Sequence, residues 1–314
     1  MKYICVAILV VISLAAEGQQ LIQWSQRNTE MLTYNPAVAG SNLTQEIQLH
    51  NRMQWVGWDD APIVQTISYN GAVGKNNGLG LYMLYDQTGP VKRYGGTLSY
   101  AYHIAFPLFN LSFGVSGSLK QYCFDINKLE FESQSHGVVE PLALSGDIQS
   151  KVAPDASTGI YASNHKFYFG FSFTELINSK LKTSSYRINQ GQQYVVMTGY
   201  NFREHTQLVI TPSFLLTSAT GTPVQLDAGI RFEYNKMFLF GMSYRIKDAV
   251  VLLAGTKLPG NFFVAYSYDI VYSPVHKYNM GSHELVLFYV FWSKIGKSSY
   301  HNEDFRGQLL PRWK

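Results

Sequence analysis

Val224-Gln225-Leu226-Asp227-Ala228-Gly229-Ile230-Arg231-Phe232-Glu233-Tyr234 alternates without a break. Val224, Leu226, Ala228, Ile230, Phe232 and Tyr234 share one side; Gln225, Asp227, Gly229, Arg231 and Glu233 share the other. A period of two is the period of a β-strand, whose successive side chains point to opposite faces. One face is almost wholly apolar and the other carries three charges. If the apolar face met lipid, the charged face would line an interior, because an arginine placed in lipid at mid-depth costs about 2–4 kcal/mol. Asp227, Arg231 and Glu233 are then a candidate ion pair within that interior.

The same alternation extends outward in both directions. Leu111, Phe113, Val115, Gly117 and Leu119 oppose Ser112, Gly114, Ser116 and Ser118. Phenylalanine occupies 167, 169, 171 and 173, and Tyr94, Leu98, Tyr100, Tyr102 and Ile104 face away from Thr97, Ser99 and His103. Segments of this kind are expected at 45–52, 62–71, 78–86, 91–104, 110–123, 155–163, 166–175, 193–203, 206–217, 223–234, 237–247, 249–257, 261–271 and 282–292. Most have about the 9–11 residues a tilted strand needs to cross a bilayer.

Composition agrees. Of 314 residues, 46% are hydrophobic and only 15% charged, with 22 Tyr and 19 Phe. Charge is scarcer than the roughly one quarter usual in soluble domains, while a mean hydropathy of −0.07 excludes a bundle of membrane helices. The links sort by parity. The second, fourth, sixth, eighth, tenth and twelfth are short: Gly74 to Asn77, Ala105 to Phe109, Asn164-His165, Glu204-His205, Asn235-Lys236 and Leu258 to Gly260. The odd links are mostly longer, the fifth running from Phe124 to Pro154, although the eleventh, at Lys247-Asp248, is short. A soluble sandwich has no reason to sort loops this way; an outer-membrane barrel does. The expected fold is all-β, a transmembrane antiparallel β-barrel of about 14 strands, spanning 45–292.

The flanks follow. Residues 1–18 read as a secretory signal peptide, with Lys2, the apolar run Ile4 to Ala16, and cleavage after Ala16 or Gly18. Removal takes Cys5 and leaves Cys123 alone, so no intramolecular disulfide is expected. Residues 19–44 are not strand-like and read either as a plug tucked into or beneath the barrel or as a loose periplasmic leader. The polar tail 293–314 is expected in the periplasm, as are both termini.

Chemistry is sparse. The eight histidines show no metal-ligand spacing, no nucleophile elbow or phosphate loop is present, and no basic tract points to nucleic acid. No catalytic, cofactor or metal residue is expected. His283-Glu284 opens the last strand as a candidate hydrogen-bonded rim pair. Gly78-Leu79-Gly80 reads as a strand position from which bulk is excluded. Arg52, Gln54, Trp55, Trp58 and Asp59, at the outer end of the first hairpin, read either as part of an interfacial aromatic belt or as a partner-contact surface.

Several motifs, in order, resemble the PorP/SprF family: Asn35-Pro36-Ala37-Val38-Ala39-Gly40; Arg52-Met53-Gln54-Trp55-Val56-Gly57 with Ala61-Pro62; Gly78-Leu79-Gly80; Tyr100-Ala101-Tyr102-His103-Ile104; Pro154-Asp155 with Gly159-Ile160-Tyr161; and Ser282-His283-Glu284-Leu285. The resemblance covers about 21–292. It implies a non-enzymatic outer-membrane component of type IX secretion and its gliding-motility branch, with outer-membrane lipid, a large adhesin-like secreted client and periplasmic secretion components as partners. The competing expectation is a diffusion or substrate channel similar to fatty-acid transport barrels.

Overall fold

The computed structural model describes residues 22–42, 44–125, 128, 148–149, 152–177, 181–182, 187–188, 191–202, 207–220 and 222–291. The expected signal peptide, the tail 293–314 and most of the loops 124–154 and 176–192 lie outside the described residues.

Fourteen antiparallel strands close into a barrel. They are β1 (Gln45–Met53), β2 (Ile63–Val73), β3 (Asn77–Thr88), β4 (Val91–Ala105), β5 (Asn110–Phe124), β6 (Ala153–Ser163) and β7 (Phe167–Thr174). The second half comprises β8 (Gln193–Tyr200), β9 (Leu208–Ala219), β10 (Gln225–Tyr234), β11 (Phe238–Arg245), β12 (Ala249–Leu258), β13 (Phe262–Val271) and β14 (Ser282–Phe291). Each strand pairs with its chain neighbours, and β1 pairs with β14 from Gln45↔Phe291 to Met53↔His283. That last pairing removes both sheet edges, so every strand has a hydrogen-bonded neighbour on each side. Two-residue pieces lie outside the fourteen: Ile148–Gln149 beside Cys123 and Phe124, and a ribbon of Leu181–Lys182 with Arg187–Ile188.

The short links gather at one end and the longer ones at the other, as the parity of the links requires. Besides the eleventh, the third link is also short: only Gly89-Pro90 joins β3 to β4. Those strands run 12 and 15 residues, so they carry their own hairpin to a tight turn in which Gly89 takes φ +55°. Strand β11 stops at Arg245, two residues before the alternation does, because the turn starts there: Ile246 N–H donates to Leu226 O and Lys247 adopts φ +63°.

The faces fall as the alternation predicts. On β11, Leu239 is 1% exposed and Phe240 52%. Outward tyrosines and phenylalanines form a girdle at each end: Tyr102, Tyr200, Tyr234 and Phe238 toward the short turns, Tyr94, Tyr194, Tyr244 and Tyr272 toward the long loops. Aromatic rings of this kind sit where hydrocarbon gives way to headgroups. The interior is less polar than a water-filled lumen would be. Leu239, Phe263, Ala265, Val286 and Phe288 form one buried cluster, with the Phe263 and Phe288 rings stacked at 4.8 Å. Another includes Tyr161, Tyr168, Val195, Met197 and Leu215 together with Trp24, Met31, Tyr34, Ala37 and Val38. These last five belong to residues 22–42, a strap that lies inside the barrel and gives the inward side chains something to pack against.

The face assignment predicts an asymmetry. Ile230→Arg places its charge toward lipid and should cost about 2–4 kcal/mol, abolishing the faster gel migration of unheated protein. Gln225→Arg, on the opposite face, should leave it intact; equal effects would reverse the assignment.

Candidate functional site

The strap runs from the long-loop end, where Ser25 lies, down to the short-turn end, where Gly40 leads into β1. Its lower half is built around Asn35-Pro36. Asn35 caps a short 3-10 turn, Pro36–Val38, by accepting the Ala37 N–H at 2.9 Å. Asparagine at the cap and proline at the first turn position are the residues such a start favours. The Asn35 amide also donates to Ile160 O at 3.0 Å, and Ser172 Oγ donates to Tyr34 O at 2.5 Å. Glycines of the wall admit the turn. A methyl group at Gly114 would overlap the Ala37 backbone nitrogen, and one at Gly78 would overlap the Ala39 carbonyl. His103 Nε2 donates to that carbonyl at 2.9 Å, leaving Nδ1 to accept from Ser112 Oγ at 2.6 Å. This is the neutral imidazole's pattern of one donor and one acceptor.

Midway, a single helical turn, Met31–Tyr34, follows Glu30. Glu30 meets His50 Nε2 at 2.9 Å with both side chains fully enclosed. Trp24 packs edge-on to His50, ring centroids 5.3 Å apart, and its backbone N–H donates to Tyr34 Oη at 3.1 Å. Burial pushes the Tyr34 phenol up to about 12, so it remains a neutral hydrogen-bonding group.

The upper half is held by charge, near the long-loop end. The Glu284 carboxylate accepts two consecutive strap amides, Ser25 N–H at 2.8 Å and Gln26 N–H at 3.0 Å. Arg52 bridges Glu284 at 3.3 Å and Asp269 at 2.8 Å. Ser25 Oγ donates to Asp269 at 2.5 Å. Arg245 meets Asp269 at 3.2 Å, Asp227 at 3.5 Å and Asp248 at 3.0 Å. Arg27 of the strap pairs with Asp227. Three arginines thus meet three buried carboxylates, Asp227, Asp269 and Glu284, with Asp248 at the margin. Charges enclosed in a low dielectric persist when paired and hydrogen-bonded, as these are.

The expected residues divide. Asp227 is in this network through Arg27 and Arg245, and Arg231 and Glu233 are buried on the same interior face, neither without a partner. Arg52 does not share a surface with Gln54, Trp55, Trp58 and Asp59: it is 1% exposed and turned inward, because it occupies the lumen phase of β1. The other four lie in the following loop, where Trp58 and Asp59 are exposed and the Trp55 and Trp58 rings are 6.0 Å apart. That loop is laid on the β13–β14 loop through Val56 N–H to Gly281 O, 2.9 Å, and Met280 N–H to Val56 O, 2.7 Å. His283 and Glu284 are not a pair. Adjacent strand residues face opposite ways, so His283 meets Tyr266 Oη outside at 2.5 Å while Glu284 holds the strap inside.

Sequence reasoning missed Ser25, Arg27, Arg245 and Asp269. Arg245 and Asp269 carried a usable signal: each sits on the strand phase shared with Leu239 or Phe263, the phase opposite the aromatic girdles.

The chain matches a family model described as "Type IX secretion system membrane protein PorP/SprF" over residues 16–289. It belongs to the PorP/SprF family. This member is accordingly an outer-membrane barrel of type IX secretion. No curated protein matches it at a significant level. Among solved structures it is similar to the Ralstonia pickettii toluene transporter TbuX, at 11% identity, TM-score 0.51, covering 84% of this chain and 92% of that one. A Pseudomonas aeruginosa FadL homologue matches at 12% identity, TM-score 0.45, covering 81% and 92%. At such identity the likeness to TbuX shows the barrel fold alone.

Breaking the charge network should expose its weight. Arg52→Ala leaves Asp269 and Glu284 short of a cation and should destabilise by about 3–5 kcal/mol, lowering the temperature at which the folded gel band is lost. Glu284→Gln, which keeps a shape able to accept one amide, should cost less. Gly114→Val should make the strap accessible to protease while the barrel band persists.

The long-loop rim adds a titrating group. Lys120 meets Asp155 at 3.4 Å and also pairs with Glu175, and Asp155 Oδ1 accepts Ile177 N–H at 3.0 Å. Burial is the main cause raising the Glu175 carboxyl from its ordinary 4.5 to about 7. Between those values the unfolded rim ionises while the folded rim holds its proton, so stability here falls as pH rises through that window. Hydrogen exchange at Ile177 should accelerate across it relative to neighbouring amides, and Glu175→Gln should remove the excess.

Proposed function

We propose that this PorP/SprF member is a non-enzymatic component that supports export, surface attachment or both for a particular large, adhesin-like secreted protein. The observation that carries the reading is the family match taken together with a barrel interior occupied by its own strap. A strap held by glycine-fitted backbone below and by paired charges above occludes the route a solute would take. In this reading the short turns and the end of β14 face the periplasm, where other secretion components are met, and the long-loop end, near which the strap's Ser25 lies, faces out. The loop bearing Gln54, Trp55, Trp58 and Asp59 is the client contact: tryptophan anchors interfaces well, and this loop is propped by its neighbour rather than free.

Deleting the gene should remove one or a few large proteins from the surface proteome while other type IX cargo is still exported. Trp55→Ala with Trp58→Ala should reproduce that loss with the barrel still folded and inserted. The channel reading makes the opposite forecast: an unchanged surface proteome, measurable single-channel conductance for the intact protein, and reduced uptake of a small solute in the deletion strain.

A further inference from the structure

Above the strap's helical turn, toward the long-loop end, a cavity of about 120 Å³ remains in the lumen. One water needs roughly 10–15 Å³ by the same kind of measure, so the space suits something larger. The strap supplies the floor through Leu32, Tyr34 and Pro36, and the wall of β2 to β8 supplies the sides. Much of the wall carries hydroxyl side chains. Thr66, Thr97, Ser99, Ser116, Ser118 and Ser157 all line it, while Tyr82 and Leu84 give one apolar flank.

Three buried polar atoms in this lining have no hydrogen-bond partner: Thr66 Oγ1, Arg93 Nε and Glu175 Oε2. Thr66 is 5% exposed. Together they offer a donor in Arg93, a carboxyl in Glu175 that accepts when ionised and also donates when it holds its proton, and a hydroxyl that does either. Buried polar atoms ordinarily find partners, so the lining is complete only when the cavity holds a group rich in both donors and acceptors.

We propose that this cavity is a binding site for a neutral polyhydroxylated ligand, a sugar residue. Other chemistries fit less well. An anion would need a spare cation, but Arg93 is paired with Asp86 at 2.8 Å and Lys120 with Asp155 and Glu175. A hydrocarbon would leave the hydroxyls and the three open atoms unsatisfied. A peptide strand binds best along a free sheet edge, and the closed wall has none, since its backbone groups are spent in the ladders. A sugar ring has what remains: hydroxyls that donate and accept for the serines and threonines, and a C–H face for Tyr82 and Leu84. The site is independent of the secretion role, because it uses neither the Trp55–Trp58 loop nor the charge network.

The test is saturation-transfer NMR on the full-length protein in a detergent without a sugar headgroup, such as a dimethylamine oxide, since an alkyl glycoside would compete. The probes are free glucose, mannose and N-acetylglucosamine at millimolar concentration, their methyl glycosides, and a blocked Gly-Ser-Gly-Ser peptide. Transfer to at least one sugar and none to the peptide is expected. If methyl glycosides bind as well as free sugars, the site accepts a residue linked through its anomeric carbon, as in a surface polysaccharide or glycoprotein; if only free sugars bind, the source is a soluble saccharide. Ser116→Leu and Ser118→Leu, each filling the cavity, should weaken binding about tenfold by excluding one or two hydrogen bonds. Val115→Leu, on the lipid face, should not. Each variant is first shown to give the folded gel band. Absence of transfer from every sugar, equal transfer to the peptide, or full binding by both cavity-filling variants would overturn the proposal.

Discussion

In hydrocarbon no water is available to a backbone N–H or C=O, and each one left unpaired costs several kcal/mol. The architecture follows from that condition. The alternating segments are too short to span as helices, so they must pair with one another, and a row of paired strands still has two edges. The Gln45–Met53 strand zipped to Ser282–Phe291 removes both. Once the ring is closed, side-chain phase sets everything else: one set of residues meets lipid, with aromatic girdles at its borders, and the other set must be accommodated within.

The interior is therefore the harder packing problem, and the strap is its solution. Its two halves are held by different physics. Below, shape dominates: the strap lies so close to the wall that only glycine fits at Gly114, against Pro36-Ala37, and at Gly78, against Ala39-Gly40. Above, charge dominates, through Arg27, Arg52 and Arg245 against Asp227, Asp269 and Glu284. Buried ion pairs are not a cheap source of stability, because desolvation offsets much of their attraction. Their value here is position. Glu284 accepts the amides of Ser25 and Gln26 and no others in the strap, which sets how high the strap sits, as a polar residue sets register in other packed assemblies.

The barrel was legible from the chain because its information is local and periodic. Two-residue alternation in Gln225–Tyr234 and the parity of the links named the fold, the faces and nearly every strand. What escaped was non-periodic. Nothing in the sequence near Ser25 or Arg27 points to partners two hundred residues or more away. The motifs were visible before their reasons were. Gly78-Leu79-Gly80 was readable as a place without bulk, but the bulk excluded proved to belong to the strap. Asn35-Pro36 was readable as a break in strand character, and its seat against β6 and β7 was not. Arg52 misled because adjacency in sequence suggests a shared surface, whereas β1 ends at Met53: Arg52 keeps the lumen phase of the strand while Gln54 to Asp59 belong to the loop beyond it. Asp227 was placed in the interior by alternation, yet the arginines that meet it come from the strap and the next strand.

The same geometry links the inside of this barrel to its outer loops. Only two residues separate Arg52, which holds Asp269 and Glu284, from Trp55. On the facing strand, Ser282 lies two residues before Glu284 and its Oγ accepts the Trp55 N–H at 3.2 Å. The ends of β1 and β14 therefore carry the tryptophan loop on one side and the strap's carboxylate and arginine on the other. Trp55, Arg52 and Glu284 thus hang on the same pair of strand ends. Surface loop and lumen lock share their two supports, one through Ser282 and Trp55 and the other through Arg52 and Glu284.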